Sequence, residues 1–317
     1  MSAAVAPAVP LAALGRVHLV GVGGAGMSVV ARLLAANGVP VQGSDAAEGP
    51  ALAALRADGA SVWVGHDAAH VVGADGTPRV DTVVVSSAVR ETNPELAAAR
   101  AAGLRVLHRS QALASLMLGR RAVAVAGAHG KTTTSAMIAT VLRSCGLDPS
   151  FAIGGTVRTR SADGVEAAVP GGHLGASDVL VAEADESDGS FLNYAPTVAV
   201  VTNVEPDHLD HYGTREAFDQ AFVDFAARLQ PGGTLVACAD DAGSAALAAA
   251  HRARSAIVLS SAAAVAASST VTTSDRPPVR STSSASPARS TTPTRPPRRS
   301  PPTAGWPAPS RGAPGCA

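Results

Sequence analysis

The chain contains a single lysine, Lys131, and it stands in the run Gly-Ala-His-Gly-Lys-Thr-Thr-Thr, residues 127–134. Every other basic side chain is arginine. A compact ammonium on a flexible stem can reach between two phosphates, which arginine's planar fork does so less well. The apolar run Arg121–Ala126 before the loop predicts a buried strand, and Ile138, Val141, Leu142 and Cys145 after it lie on one helical face ended by Gly146. Strand, glycine turn, Lys-Thr and helix make an anion site, because unpaired N–H groups and the helix dipole point into the turn. Gly127, Ala128, His129, Gly130, Lys131, Thr132 and Thr133 are therefore expected to cradle a nucleotide's phosphates. The Gly127-x-x-Gly130-Lys131-Thr132 spacing is shorter than the common phosphate-loop pattern.

A second glycine turn, Gly21-Val22-Gly23-Gly24-Ala25-Gly26, follows the apolar run Val17–Val20, with Asp45 closing the next predicted strand. Such a turn lets a backbone approach a pyrophosphate, and an acid about twenty residues on accepts a ribose hydroxyl. A dinucleotide or a nucleotide-sugar diphosphate meets those demands equally. The acidic run Glu183-Ala-Asp185-Glu186-Ser-Asp188 follows a predicted strand, 178–182, where a nucleotide site would hold Mg²⁺ on hydroxyl, carboxylate, phosphate and water oxygens. Thr132 and Glu183 are the candidate ligands. Asn203 and the Asp207-His208-Leu-Asp210-His211 run follow another predicted strand, 197–202, and so face the same sheet edge. His208 could complete a metal shell, whereas His211 reads as a surface histidine.

The elements that must position these groups form two α/β blocks. Residues 16–119 alternate strand and helix patterns (helices 51–58, 94–102 and 110–118, strands 61–64, 80–86 and 104–107), the sequence form of a Rossmann-like doubly wound parallel sheet. A second block, 120–254, carries the phosphate loop and predicts an incomplete P-loop α/β nucleotide-binding domain, with a helix at 214–229 and a strand at 234–238. Residues 1–15 are expected to be a flexible N-terminus. From Ser255 the chain becomes Ser, Thr, Pro, Ala and Arg, with seven arginines against one acid, and 255–317 is expected to be a disordered low-complexity tail.

Composition narrows the class. A formal net charge of +0 gives no electrostatic reason to expect nucleic acid or an anionic membrane as partner. Three scattered cysteines argue against a disulfide framework. No run of 18 apolar residues occurs and no leader is evident, so a cytoplasmic protein is expected.

Taken together the motifs resemble the ATP-dependent Mur ligases of peptidoglycan assembly, most nearly the alanine-adding branch. The pieces that carry the likeness are His18–Met27, Val85–Val89 with Asn93-Pro94-Glu95, Ala126–Thr134, Ala182–Asp188 with Ser190-Phe-Leu192, and Thr202–His208. The resemblance implies that ATP phosphorylates the carboxylate of UDP-N-acetylmuramic acid and that L-alanine attacks the acyl phosphate. It implies Lys131, Glu183 and His208 as catalytic, and Thr132, Glu183 and His208 as Mg²⁺ ligands. Residues 127–133 with Asn203 would hold ATP. Gly21, Gly23, Gly24, Ala25, Gly26, Met27, Asp45, Ser86 and Ser87 would hold the UDP-sugar.

A later His-Asn-x-x-Asn motif of the family does not occur in these 317 residues, and the family's third domain is expected to be missing. The composition after about residue 254 is what GC-rich codons yield out of frame, so a C-terminally truncated, frameshifted chain is expected. Other readings are a non-catalytic UDP-sugar and ATP-binding fragment, and a relative that recycles tripeptides onto the same sugar. An NAD-dependent oxidoreductase leaves Lys131 unexplained, and a partitioning-type ATPase leaves the first block unexplained.

Overall fold

In the computed structural model the described residues are 6–160, 166–252 and 255–260. The first block runs β1 (Val17–Val20), α1 (Ala25–Ala36), β2 (Val41–Asp45), α2 (Pro50–Ala57), β3 (Ser61–Val64), β4 (Thr82–Val85), α3 (Pro94–Ala101), β5 (Arg105–His108) and α4 (Arg109–Met117). Its five strands are all parallel, in the order β3-β2-β1-β4-β5. The chain leaves β1 toward β2 on one side and returns to β4 on the other. The turn after β1 thus lies where the strand order reverses, which is where open α/β sheets bind ligands. All four residues of β1 are buried, as a central strand covered on both faces requires.

The second block runs β6 (Arg121–Ala126), α5 (Lys131–Ser144), β7 (Ser150–Arg160), β8 (Glu166–His173), β9 (Val179–Glu183), β10 (Val198–Val201), α6 (Leu209–Tyr212), α7 (Arg215–Ala227), β11 (Thr234–Cys238), α8 (Ala242–His251) and β12 (Ala256–Ser260). The strand order is β12-β11-β10-β6-β9-β7-β8, parallel except for the antiparallel β7–β8 pair. Since β6 lies between β10 and β9, the phosphate loop is flanked by the acidic run after β9 and by the 202–208 segment after β10. That arrangement brings three distant motifs to one edge.

The doubly wound parallel sheet and the second α/β sheet stand as expected. Strand β12 does not. It pairs with β11 from Ala256↔Thr234 to Ser260↔Cys238, so the ordered sheet runs past the boundary expected at 254. The apolar run Ala256-Ile-Val-Leu259 supplies the strand, and an abrupt change in composition just downstream obscures it. The rest of the expected tail, 261–317, and residues 1–5 lie outside the described residues. The β7–β8 pair and α8 were not foreseen either.

The two blocks share one core. Met27, Val29 and Val30 of α1 pack in a continuous buried cluster with Ala152 of β7 and Phe191, Phe218, Phe222 and Phe225. Helix α1 lies so close to β8 that a Cβ on Gly172 would come 2.9 Å from the Val29 carbonyl oxygen. Hydrogen bonds from Arg120 to Asn37 (3.1 Å) and Ser150 (3.0 Å) tie the same junction.

Candidate functional site

The turn after β1 opens on a cleft of about 720 Å³ lined by Gly21, Gly24, Ala25, Gly26, Met27, Asp45 and Ser86. Gly21 has φ +76°, and Gly24 caps α1 without a side-chain hydrogen bond, so the first amides of the helix carry no side-chain partner. The Gly23 N–H donates to Asp45 Oδ2 at 2.8 Å, and a Cβ on Gly23 would meet that oxygen at the same distance. Gly23 therefore serves the cleft by seating Asp45. Ser87 does not line the cleft and instead lies on the side of Asp188, whose carboxyl it helps to lower.

Sequence reasoning left out several residues of the wall: His66, Arg90, Thr92, Asn93, Pro94 and Arg109. Asn93 and Pro94 belong to the Asn-Pro-Glu motif, whose reason is now visible. Asn93 Oδ1 caps α3 by accepting from the Glu95 and Leu96 amides, and Pro94 takes the first helical position. This turns Glu95, with no exposed surface, into the interior. Its carboxylate accepts from Ser44 Oγ (2.6 Å) and faces His70 Nδ1 (2.7 Å), His66 Nδ1 (2.9 Å) and His18 Nε2 (3.3 Å). Burial opposes the charge, but the bonds from His18, Ser44 and His70 outweigh it and hold the carboxyl at about 2. Glu95 thus fixes His66 at the cleft wall from behind.

At the phosphate loop, Gly130 is left-handed (φ +83°) and caps α5 with no side-chain hydrogen bond. The helix opens on exposed Thr132 and Thr133. Asn203 clamps the loop: its Oδ1 accepts from the His129 N–H (3.0 Å) and its Nδ2 donates to the His129 carbonyl (3.1 Å). Thr202 Oγ1 donates to the same carbonyl at 2.6 Å. Asn203 therefore shapes the cradle and is itself engaged by backbone. Gly127, at φ +136°, has no room for a side chain against Thr202 and Asn203.

Lys131 is folded back. Its Nζ donates to Glu186 Oε1 and to the Gly127 carbonyl, both at 2.9 Å. Glu186 has no exposed surface, and its Oε2 is buried without a partner. Burial pushes its carboxyl up against the lowering pull of Lys131. Tyr212 Oη donates to the Glu186 carbonyl, which ties α6 to the acidic run.

A second cavity, about 250 Å³, lies between the blocks and is lined by Lys131, Glu183, Asp185, Arg109, Ala25, Gly26 and Tyr194 among others. Glu183 Oε1 accepts from the Gly154 N–H at 3.2 Å. His208 lies elsewhere on the edge, half-exposed, with Nε2 3.6 Å from Asp207 Oδ2. It is the one non-glycine with positive φ (+50°) among the described residues. Such a conformation costs about 1–3 kcal/mol and tends to be kept where a side chain must be aimed. No group of three or more His, Cys, Asp and Glu side chains able to hold a metal occurs among the described residues. Thr132, Glu183 and His208 include only two such groups. Of the three, Glu183 is the one carboxylate, the ligand type that Mg²⁺ takes alongside phosphate oxygens and water.

A doubly wound parallel sheet with a glycine turn at its switch point is thus joined to a second sheet carrying a glycine–lysine loop, with a cavity between the two. The sequence matches the Mur ligase family catalytic domain over residues 16–121 and the Mur ligase middle domain over 125–285. The chain belongs to the Mur ligase family.

It is 63% identical over 238 residues to the UDP-N-acetylmuramate–L-alanine ligase of Kineococcus radiotolerans, covering 74% of this chain and 48% of that protein. With the namesake from Renibacterium salmoninarum the identity is 59% over 233 residues, covering 74% and 47%. The chain thus spans about half the length of the curated relatives it matches. Among solved structures, the UDP-N-acetylmuramate–alanine ligase of Thermotoga maritima aligns with TM-score 0.62 and 32% identity, over 73% of this chain and 51% of that one. The UDP-N-acetylmuramate:L-alanyl-γ-D-glutamyl-meso-diaminopimelate ligase from Neisseria meningitides aligns with TM-score 0.65 and 27% identity, over 78% of each chain. No helix among the described residues is long and apolar enough to cross a membrane.

Proposed function

We propose that this chain carries the UDP-sugar and ATP sites of a ligase that joins L-alanine to UDP-N-acetylmuramic acid in building peptidoglycan precursors. One observation supports the reading above others. The diphosphate-type turn and the phosphate loop open on adjoining cavities with Ala25, Gly26 and Arg109 as a common wall. A sugar diphosphate seated on residues 21–27 then has its acid directed at the cavity that holds Lys131 and Glu183. Asp45 and Ser86 would take hydroxyls of the nucleotide, and Asp45, anchored by Gly23, keeps an acceptor lone pair free for that purpose.

In the proposed reaction a carboxylate oxygen of the sugar attacks the γ-phosphorus of ATP, and the bond to ADP breaks. The alanine amine next attacks the acyl carbon, the carbon–oxygen bond breaks, and phosphate leaves as the amide forms and the nitrogen loses a proton. Charge builds on the transferring phosphoryl group, so fixed donors are the main source of rate. Lys131 would swing from Glu186 to that group, and the amides of residues 130–133 would hold the phosphates. Mg²⁺, when bound to Thr132, Glu183 and His208, would neutralise phosphate charge. The identities of 63% and 59% with alanine-adding enzymes favour alanine over the tripeptide of the Neisseria relative, whose identity is 27%.

Calorimetric titrations with UDP-N-acetylmuramic acid and with ATP, paired with an assay of alanine-dependent phosphate release, test the reading. Binding with alanine-dependent release supports the ligase, and binding without release leaves a binding unit for the two nucleotides. A folded protein that binds neither nucleotide contradicts both.

A further inference from the structure

Arg109 is not used in the scheme above, yet it is the one cation that lines both cavities. It opens α4, directly after the His108 cap, and its guanidinium covers Gly26 so closely that a Cβ there would overlap it. Among the described residues its ion pair is a loose one, Nη2 to Asp185 Oδ2 at 3.4 Å, with both side chains partly exposed. Asp185 is held independently, since its Oδ1 accepts from the Ser187 N–H at 3.2 Å.

An acid entering the smaller cavity would face Glu183 and Asp185, and like charges at such range repel. A cation must offset them. Lys131 is committed to Glu186 and, in the proposed reaction, to phosphate. Exposed ion pairs contribute little, so Arg109 can leave Asp185 at small cost. Its planar fork then matches a carboxylate through two parallel N–H bonds.

We propose that Arg109 exchanges Asp185 for the carboxylate of the sugar substrate, orienting that acid toward the phosphate loop and selecting the acid-bearing nucleotide sugar. This rests on the ligase reading and adds to it the group that recognises the acid.

The test compares UDP-N-acetylmuramic acid with UDP-N-acetylglucosamine, which has the same nucleotide and diphosphate but no carboxylate. Calorimetry on the full chain is run for wild type, Arg109→Ala, Arg109→Lys and Asp185→Asn. Arg109→Ala is expected to weaken the acid-bearing sugar about tenfold, the value of roughly 1.4 kcal/mol, while the neutral sugar keeps its affinity. Arg109→Lys should recover part of the loss, and Asp185→Asn, which releases the guanidinium, should tighten the acid-bearing sugar alone. Equal weakening of both sugars by Arg109→Ala assigns the guanidinium to the diphosphate or to folding and overturns the proposal. So does an unchanged preference in Asp185→Asn. If wild type binds neither sugar, the ligase reading itself fails, a result distinct from a lost preference.

Discussion

Lys131 and Glu186 form a pair that must part if the ammonium is to reach a phosphate, as proposed. The ammonium sits on a fully buried carboxylate and two loop carbonyls, 2.9 to 3.4 Å away. Removing one partner of a buried pair leaves the other uncompensated, at a cost of about 3–5 kcal/mol. Lys131→Ala is therefore expected to lower stability as well as to lose at least about 3 kcal/mol of transition-state stabilisation, by analogy with loss of one fixed donor. Adding Glu186→Gln should restore much of the melting temperature and none of the turnover. Recovery of turnover by the double variant would contradict the role of Lys131. The placing of Lys131 was legible in the sequence, because an apolar run, a glycine turn and a helical face mark the strand and helix on either side of it. Its partner was not. Nothing in the spacing of Glu186 distinguishes it from Glu183, and only the fold shows that one is sealed under Lys131 while the other faces the cavity.

At the scale of the elements, Glu95 joins β1, β2, α3 and the segment after β3 through His18, Ser44, His66 and His70. Its carboxyl is held at about 2 against an ordinary 4.5. Because the folded value is depressed, the protein gains stability from this group above pH 4.5, and loses it as pH falls from about 4.5 toward about 2. Over that window the contribution is on the order of 3 kcal/mol. Denaturant midpoints of wild type and Glu95→Gln should differ clearly at pH 7 and converge as the pH is lowered through this range; a constant difference would contradict the assignment. A steric counterpart lies between α1 and β8. Gly172→Ala sets a Cβ 2.9 Å from the Val29 carbonyl oxygen, a main-chain atom that cannot rotate away, and should cost about 1–3 kcal/mol in a thermal melt. An unshifted midpoint would show that the junction gives way easily. Parallel strands and their helices were readable from apolar runs and glycine punctuation. The β7–β8 pair was not, since its Gly154-Gly155 and Pro170-Gly171-Gly172 segments break the period-two pattern that marks a strand.

For the molecule as a whole, the two blocks were expected to be separate domains, and the core is continuous between them. The start of α4 is tied to the acidic run by Arg109 to Asp185 (3.4 Å), and to the segment after it by Asn193 Nδ2, which donates to Ser110 Oγ (2.7 Å). A fragment of residues 6–119 would expose Met27, Val29 and Val30 and is expected to melt well below the full chain; an equal midpoint would show that the shared core contributes nothing to the first block. The alternation of strand and helix disclosed both blocks, but no local pattern reports that α1 of one packs on a hairpin of the other. Such contacts depend on three-dimensional order.

The most direct measurement is a crystal structure of the chain with Mg²⁺ and a non-hydrolysable ATP analogue. The account predicts the terminal phosphates within hydrogen-bonding distance of the Lys131 ammonium and the amides of residues 130–133, with Lys131 drawn off Glu186. A well-ordered second sheet with Lys131 still on Glu186 and the nucleotide bound elsewhere would contradict it.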